Sequence, residues 1–193
     1  MISPVAIILA AGQGSRFRAA AGLDQDKLLA PCRGLTGEER PVLEHVLRNL
    51  GDRIQRRLVV TRPQSTHVIS IAHAYGCEVL LLDSTGMGDS LAAAVAGSAE
   101  ASGWVVVLGD MPFIEQATLD AVIEAMTEEG IAVAKGRDGY GHPVGFGRGF
   151  GASLQALKGD QGARKLFMPG RVTEVLVTDP GIYRDVDIPA NLF

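Results

Sequence analysis

Short apolar, β-branched segments alternate along this chain with longer segments that have the periodicity of a helix. The segments that predict strands are Val5–Leu9, Leu58–Thr61, Val79–Leu82, Trp104–Leu108, Ile131–Ala134 and Val172–Val177. Helical patterns at 42–50, 68–74, 88–100 and 119–126 separate the first five of them. This alternation predicts a doubly wound α/β sheet with helices on both faces. Trp104–Leu108 is wholly apolar and is expected to be a central strand.

The pattern changes after Lys135, where glycine becomes frequent. The stretch GRDGYGHPVGFGRGFG, residues 136–151, is also interrupted by Pro143, and it predicts a loop with a short hairpin. The length of 193 residues predicts one domain over 1–193 with room for a large core.

Charge and cysteine content argue against several functional classes. The net charge of −4 speaks against a general nucleic-acid binder. Cys32 and Cys77 lack a CxxC spacing, so reduced thiols in a cytoplasmic protein are expected rather than a disulfide or a zinc site. There is no signal-peptide pattern and no apolar stretch of membrane-spanning length, and no membrane partner is expected.

A glycine-rich turn follows the first expected strand, in the string IILAAGQGSRF at 7–17. Gly12 and Gly14 lack a Cβ, so backbone N–H groups can approach phosphate oxygens, and Arg16 and Lys27 add positive charge. Phe17 stands where a dinucleotide fingerprint has its third glycine, and no P-loop string exists. The turn therefore favours a triphosphate, although an ordinary strand-to-helix turn with solvated charges has the same residues.

Acidic residues follow the central strand and recur near the C-terminus. Asp110 comes directly after the strand and Gly109, where a charge is costly unless it is paired or binds a metal. Asp185 and Asp187 share one face if their segment is extended, and they can complete a metal site with Asp110. A capping aspartate and a solvated polar face are the structural alternatives.

Three other motifs contain residues that are candidates for ligand binding or catalysis. GMGDSL at 86–91 opens a helix whose amides can bind an anion or a base edge. It also contains the GDSL box of a hydrolase family, with Ser90 as nucleophile, but no C-terminal Asp-x-x-His supplies a base. His142 in a glycine-rich loop can contact substrate or cap local carbonyls, and Arg164 is a candidate anion contact.

The strings LAAGQGSRF, GMGDSL, VVVLGDMPF, GHPVGF, GDQGAR and DVDIP occur in the order seen in a known family. The chain resembles the MobA-like nucleotidyltransferases, most closely the molybdenum cofactor cytidylyltransferase branch, from Ile7 to Pro189. The resemblance implies a Rossmann-like three-layer α/β/α sandwich with a mostly parallel sheet, of the nucleotide-diphospho-sugar transferase type. It also implies Mg²⁺-dependent transfer of CMP from CTP to the phosphate of a molybdopterin cofactor, with release of pyrophosphate and a molybdoenzyme as protein partner.

The resemblance also assigns roles to residues of this sequence. Nucleotide binding falls to Leu9, Ala10, Ala11, Gly12, Gly14, Ser15, Arg16, Lys27 and Ser90. Arg16, Lys27 and Asp110 are the expected catalytic residues, and Asp110 with Asp187 the expected Mg²⁺ ligands, Asp185 being the alternative second ligand. His142 and Arg164 are expected on the acceptor side.

Some strings depart from the family pattern. The segment Phe17–Asp26 is longer and richer in alanine than usual, Ala92–Ala94 replaces an expected arginine, and the closing string reads DVDIPAN. These departures concern the acceptor more than the reaction. A sugar phosphate or other phosphate acceptor therefore stays open, as does a non-catalytic chaperone that binds a nucleotide or the cofactor.

Overall fold

A seven-stranded sheet forms the middle layer in the computed structural model, which describes residues 3–22, 24–83 and 86–193. The strands are β1 (Val5–Leu9), β2 (Pro31–Cys32), β3 (Arg40–Pro41), β4 (Arg56–Thr61), β5 (Glu78–Leu81), β6 (Gly103–Leu108), β7 (Ile131–Gly136), β8 (Gly139–Gly147) and β9 (Val172–Leu176). The helices are α1 (Ser15–Ala21), α2 (Val42–Asn49), α3 (Thr66–Ala74), α4 (Met87–Ala96), α5 (Gln116–Glu124) and α6 (Gly151–Gln155). Short 3₁₀ helices occupy Arg148–Phe150, Ala163–Leu166, Pro180–Tyr183 and Pro189–Leu192.

The order of strands across the large sheet is β5-β4-β1-β6-β8-β7-β9. All neighbouring pairs are parallel except those that β8 makes with β6 and β7. Strands β2 and β3 form a separate two-stranded ladder. The carboxyl ends of β4, β1 and β6 therefore lie at the same edge of the sheet, which is where ligands bind in such folds.

The two faces of the sheet are covered by different helices. Along β1, Val5 and Ile7 join one core cluster, while Ala6 and Ile8 join another. The first cluster includes apolar residues of α4 and α6, and the second those of α2, α3 and α5. Because strand side chains alternate between faces, this division confirms the expected three-layer α/β/α sandwich.

Several element boundaries differ from the sequence prediction by a few residues. Strand β4 begins at Arg56 rather than Leu58, because the backbone of Arg56 and Arg57 pairs with Val5 and Ala6 of β1. Helix α4 ends at Ala96 rather than Glu100, with Gly97 as its C-cap. Within the longer segment Phe17–Asp26, helix α1 ends at Ala21, and Leu23 lies outside the described residues.

The prediction of a loop and short hairpin over 136–151 was correct in part: residues 137–138 are the turn of a hairpin between β7 and β8, but most of the predicted loop is strand. Residues Gly139–Gly147 form β8, which lies inside the sheet between β6 and β7. Gly141 and Gly145 of β8 serve close packing rather than turns, because a Cβ on Gly145 would lie 2.7 Å from Met126 Cγ and one on Gly141 2.8 Å from Ile182 Cβ. Pro143 is paired with neither neighbouring strand, so its missing N–H removes no ladder hydrogen bond.

No helix among the described residues is both long and apolar enough to cross a lipid bilayer.

We expect Gly147→Ala to lower the free energy of unfolding by about 1–3 kcal/mol, the usual cost of overpacking. Gly147 has an ordinary extended backbone, but a Cβ there would overlap the backbone carbonyls of Thr127 and Glu128, which cannot move aside as a side chain can. Urea denaturation measures the change. Gly162→Ala is the matched control, since Gly162 also has an extended backbone and no atom lies within 4 Å of the point that its Cβ would occupy. Equal stability of the two variants would contradict this account of β8.

Candidate active site

A cavity of about 500 Å³ lies over the carboxyl ends of β1, β4 and β6. Its walls come from the turn after β1, the residues that follow β4 and β6, the start of α4, and two loops. They are Leu9, Ala10, Ala11, Gly12, Gln13, Ser15, Lys27, Leu28, Arg62, Gly86, Met87, Ser90, Leu108, Asp110 and Asp160. Its volume is that of a small-molecule site.

Backbone hydrogen bonds hold the turn after β1 in place. Ala10 N–H donates to Val60 O at 2.8 Å, and Gly109 N–H donates to Leu9 O at 2.9 Å. Gly14 has a left-handed φ of +59°, which glycine adopts without strain, and helix α1 begins at the next residue. Nothing lies within 4 Å of the Cβ position of Gly12, so this part of the turn is open to a ligand.

Lys27 connects the carboxylates of the site. Its Nζ donates a short hydrogen bond to Asp110 Oδ2 and lies 3.5 Å from Asp187 Oδ1. The exposed Arg16 forms a second ion pair, with its Nη1 2.8 Å from Asp187 Oδ2. Burial opposes the charge of Lys27, but the charge and hydrogen bond of Asp110 outweigh it and raise the pKa of Lys27. Burial likewise opposes the charge of Asp187, yet Arg16 and Lys27 lower its pKa.

The C-terminal segment is docked so that Asp187 reaches this cluster. Val186 N–H donates to Asp110 O at 2.8 Å, and the Val186 side chain is fully buried in a small core with Phe17 and Phe113. Asn191 Oδ1 accepts hydrogen bonds from the backbone N–H groups of Asp187 and Ile188. The buried valine thus anchors the two aspartates that flank it.

Three carboxylates form a candidate metal site. Asp110, Asp185 and Asp187 each offer an oxygen, and these oxygens lie within 4.8 Å of one another. Burial, followed by the charges of Asp187 and Asp110, raises the pKa of Asp185, as expected for carboxylates that crowd one another. An all-oxygen ligand set suits a hard divalent cation such as Mg²⁺ or Mn²⁺. The structure therefore brings both candidate second ligands to Asp110.

A second cavity of about 230 Å³ adjoins the first and shares Leu9 and Met87 with it. It lies over β6 and β8, and apolar and aromatic side chains make up most of its wall: Leu9, Met87, Leu91, Val106, Tyr140, Gly141, His142, Val144, Phe146, Gly162, Ala163, Arg164 and Phe167. Nδ1 of His142 is buried with no hydrogen-bond partner among the described residues. Burial lowers the pKa of His142, so its imidazole is neutral at pH 7 and can donate or accept a hydrogen bond.

The glycines of GMGDSL pack against the loop at 158–161 and do not leave an open surface. Gly88 N–H donates to Gly159 O at 2.7 Å, and Asp89 Oδ1 accepts from Gly159 N–H at 3.0 Å. A Cβ on Gly86 or Gly88 would overlap the backbone of residues 158–161. Ser90 is buried, and its hydroxyl donates to Gly86 O at 3.3 Å within the same helix. This contact positions the start of α4 and lends no support to a nucleophilic serine.

The structure places most of the predicted residues in these two cavities. Leu9, Ala10, Ala11, Gly12, Ser15, Lys27, Ser90 and Asp110 line the larger cavity. His142 and Arg164 line the smaller one. Gly14 and Arg16 line neither, but the Lys27 side chain packs on Gly14, and Arg16 binds Asp187.

Arg62 was missed by the sequence reasoning. It also lines the larger cavity, together with Gln13, Met87 and Asp160, which were not predicted either. Arg62 directly follows a strand that the sequence does predict. Its place at the carboxyl end of a parallel strand was therefore the signal that could have identified it.

The chain is similar to known proteins over almost its whole length. A family model described as the MobA-like NTP transferase domain matches residues 6–174. The purine catabolism protein PucB of Bacillus subtilis (strain 168) is 28% identical, over 96% of this chain and 92% of PucB. Rv0371c of Mycobacterium tuberculosis H37Rv, solved in complex with manganese, is 28% identical with a TM-score of 0.74, over 98% of this chain and 95% of that one.

A more distant structure extends the likeness of fold. The CMP:2-keto-3-deoxy-manno-octonic acid synthetase, solved in complex with CTP, is 16% identical with a TM-score of 0.66, over 97% of this chain and 95% of that one. At this identity the likeness concerns the fold, which confirms the prediction of a nucleotide-diphospho-sugar transferase type of α/β sandwich.

We expect Lys27→Met to bind Mn²⁺ at least roughly tenfold more tightly than the wild-type protein when no nucleotide is present. The ammonium of Lys27 contacts two of the carboxylates that a divalent cation would use, so the lysine competes with the metal for the same oxygens. Electron paramagnetic resonance of free Mn²⁺ gives both affinities. Lys165→Met, a change of an exposed lysine outside both cavities, should match the wild type. Equal or weaker binding by Lys27→Met would argue against this competition.

Proposed function

We propose that this chain, which belongs to the MobA-like NTP transferase family, transfers CMP from CTP to a phosphorylated acceptor of the molybdopterin type and releases pyrophosphate. The observation that carries the proposal is the pair of adjoining cavities, with Lys27 and its carboxylates on the wall of the larger one. One cavity is suited to a charged nucleotide and the other, with its aromatic wall, to the ring system of an acceptor, as a transfer between two bound substrates requires.

The larger cavity has the charges and open backbone that a triphosphate needs. Lys27 lies on its wall, and Arg16 is held beside it through Asp187. The glycine turn leaves space at Gly12, where backbone N–H groups can approach phosphate oxygens. In this proposal Lys27 exchanges its carboxylate contacts for phosphate oxygens when the nucleotide binds.

A divalent cation fits the carboxylate cluster, and we assign it as Mg²⁺. Asp110 and Asp187 would hold it, with Asp185 close enough to contribute. When bound, the cation would neutralise charge on the phosphate oxygens and favour attack at phosphorus. The manganese in the Rv0371c structure supports the use of a divalent cation in a relative of similar length.

The remaining steps rely on positioning and charge. An acceptor oxygen attacks the α-phosphorus of the nucleotide, the bond to the β-phosphate oxygen breaks, and pyrophosphate leaves. Arg16 and Lys27 stabilise the negative charge that develops on the departing group. A phosphate acceptor is already ionised at pH 7, so the neutral His142 is not required as a base and can hold the acceptor by a hydrogen bond.

The acceptor is assigned to the second cavity. Aromatic side chains at Tyr140, Phe146 and Phe167 suit a flat ring system better than a sugar. Arg164 on the same wall can bind the phosphate of the acceptor. The choice of CTP and of a molybdopterin acceptor follows the sequence resemblance to the cytidylyltransferase branch.

Pyrophosphate release tests the proposed reaction. With Mg²⁺ and a molybdopterin acceptor, we expect release from CTP to exceed release from GTP or ATP, and to stop when the acceptor is omitted. Acceptor-dependent release with a sugar phosphate instead would overturn the molybdopterin assignment. Nucleotide binding without release for any acceptor would favour the chaperone alternative.

Asp110→Asn should lower the turnover number by at least about a thousandfold, since it removes both a metal ligand and the charge that orients Lys27. Circular dichroism should show that the variant keeps the fold of the wild type. Asp138→Asn, in the exposed turn between β7 and β8, is the matched control and should keep full activity. A turnover number within tenfold of the wild type for Asp110→Asn would refute the metal assignment.

A further inference from the structure

Arg62 occupies a fixed position at the end of β4. The preceding residue, Thr61, donates from Oγ1 to Ala10 O at 3.2 Å and accepts at its carbonyl from Leu82 N–H at 2.9 Å. The carbonyl of Arg62 itself accepts from Ser65 N–H at 3.1 Å. The backbone that carries Arg62 is therefore held from three directions, and its side chain lies on the wall of the larger cavity.

Part of the hydrogen-bonding capacity of the Arg62 guanidinium is unused in the structure. Its Nε is buried and has no hydrogen-bond partner among the described residues, and no carboxylate in those residues lies within ion-pair distance of it. By contrast, Arg16 and Arg56 each bind at least one carboxylate. A buried N–H without a partner costs free energy, which a bound acceptor would recover.

The position of Arg62 in the sheet separates it from Asp110 and from the second cavity. Strand β4 lies on one side of β1, while β6, which leads to Asp110, lies on the other side. Beyond β6 comes β8, which carries His142 into the second cavity. In the proposed reaction the β- and γ-phosphates lie with Lys27 and Arg16, and the reacting α-phosphorus lies near Asp110. The nucleoside then takes the rest of the larger cavity, which Arg62, Met87 and Ser90 help to line.

We propose that Arg62 selects the nucleotide by donating two parallel hydrogen bonds to the edge of the base. This inference rests on the proposed function, since it requires a nucleoside triphosphate in the larger cavity. A guanidinium only donates, so it pairs with an edge that presents two adjacent acceptors. Cytosine offers N3 with O2, and guanine offers N7 with O6. Adenine and uracil place a donor beside each acceptor on their hydrogen-bonding edges and pair less well.

Nucleotide dissociation constants, measured by calorimetry with Mg²⁺ and no acceptor, test this role. We expect the wild-type protein to favour CTP or GTP over ATP and UTP. Arg62→Gln should raise the dissociation constant of the favoured nucleotide roughly ten- to a hundredfold, the range of a bidentate base contact. The dissociation constants of ATP and UTP should change by less than about threefold. Arg137→Gln, which removes an exposed arginine in the turn between β7 and β8, should leave all four constants unchanged.

The pattern of losses distinguishes the outcomes. An equal loss of affinity for all four nucleotides in Arg62→Gln would make Arg62 a phosphate contact. That result would overturn base selection, while the proposed function would stand. Absence of nucleotide binding by the wild-type protein would overturn both. Preference for CTP or for GTP decides which of the two bases is read.

Modified nucleotides test the same contact without altering the fold. 3-Deaza-CTP lacks the N3 acceptor of cytosine, and 7-deaza-GTP lacks the N7 acceptor of guanine. The analogue of the favoured nucleotide should bind the wild-type protein about tenfold or more weakly than its parent, and Arg62→Gln should not distinguish the two. Equal binding of analogue and parent to the wild-type protein would overturn the proposal even if Arg62→Gln failed to fold.

Discussion

The ion pairs of Lys27 with Asp110 and Asp187 hold together three distant parts of the chain. Each of these charges would be costly to bury alone, and their mutual contacts make the arrangement tolerable. The backbone hydrogen bond from Val186 to Asp110 places the C-terminal segment where this pairing can form. The lysine and the carboxylates offset one another's charge. In the proposed function, they become available together when a triphosphate and a cation bind.

The order of the strands sets the order in which residues line the two cavities. The larger cavity extends from Arg62 after β4, across the glycine turn after β1, to Asp110 after β6. The smaller cavity continues over β8 with His142. Neighbouring strands are only about 5 Å apart, so the two cavities adjoin across a few strands. The antiparallel insertion of β8 adds the wall of the second cavity to an otherwise parallel sheet. The proposed function uses this arrangement to place the acceptor beside the nucleotide.

Glycines set the distances between elements in this protein. Those in β8 allow the segment after α5 and the 3₁₀ helix at Pro180–Tyr183 to approach the strand, and those at Gly86 and Gly88 allow the loop at 158–161 to contact the start of α4. A side chain at Gly86 or Gly88 would push the start of α4 away from the loop that carries Asp160, and both line the larger cavity. The high glycine content thus serves the geometry of the site as much as its turns.

The sequence by itself determined the alternation of strands and helices, because hydrophobic periodicity reports which face of an element is buried. It also determined the glycine turn after β1 and the acidic residue after β6, since each directly follows an apolar strand. The order of its motifs was also enough to indicate the family. Only the tertiary structure decided that 139–147 is an internal strand and that Asp185 and Asp187 both reach Asp110. It also decided that Arg62 lines the larger cavity with a buried N–H that has no partner among the described residues. These facts depend on contacts between residues far apart in the chain, and no local periodicity encodes which distant backbone will pack against a glycine or which carboxylate a lysine will meet.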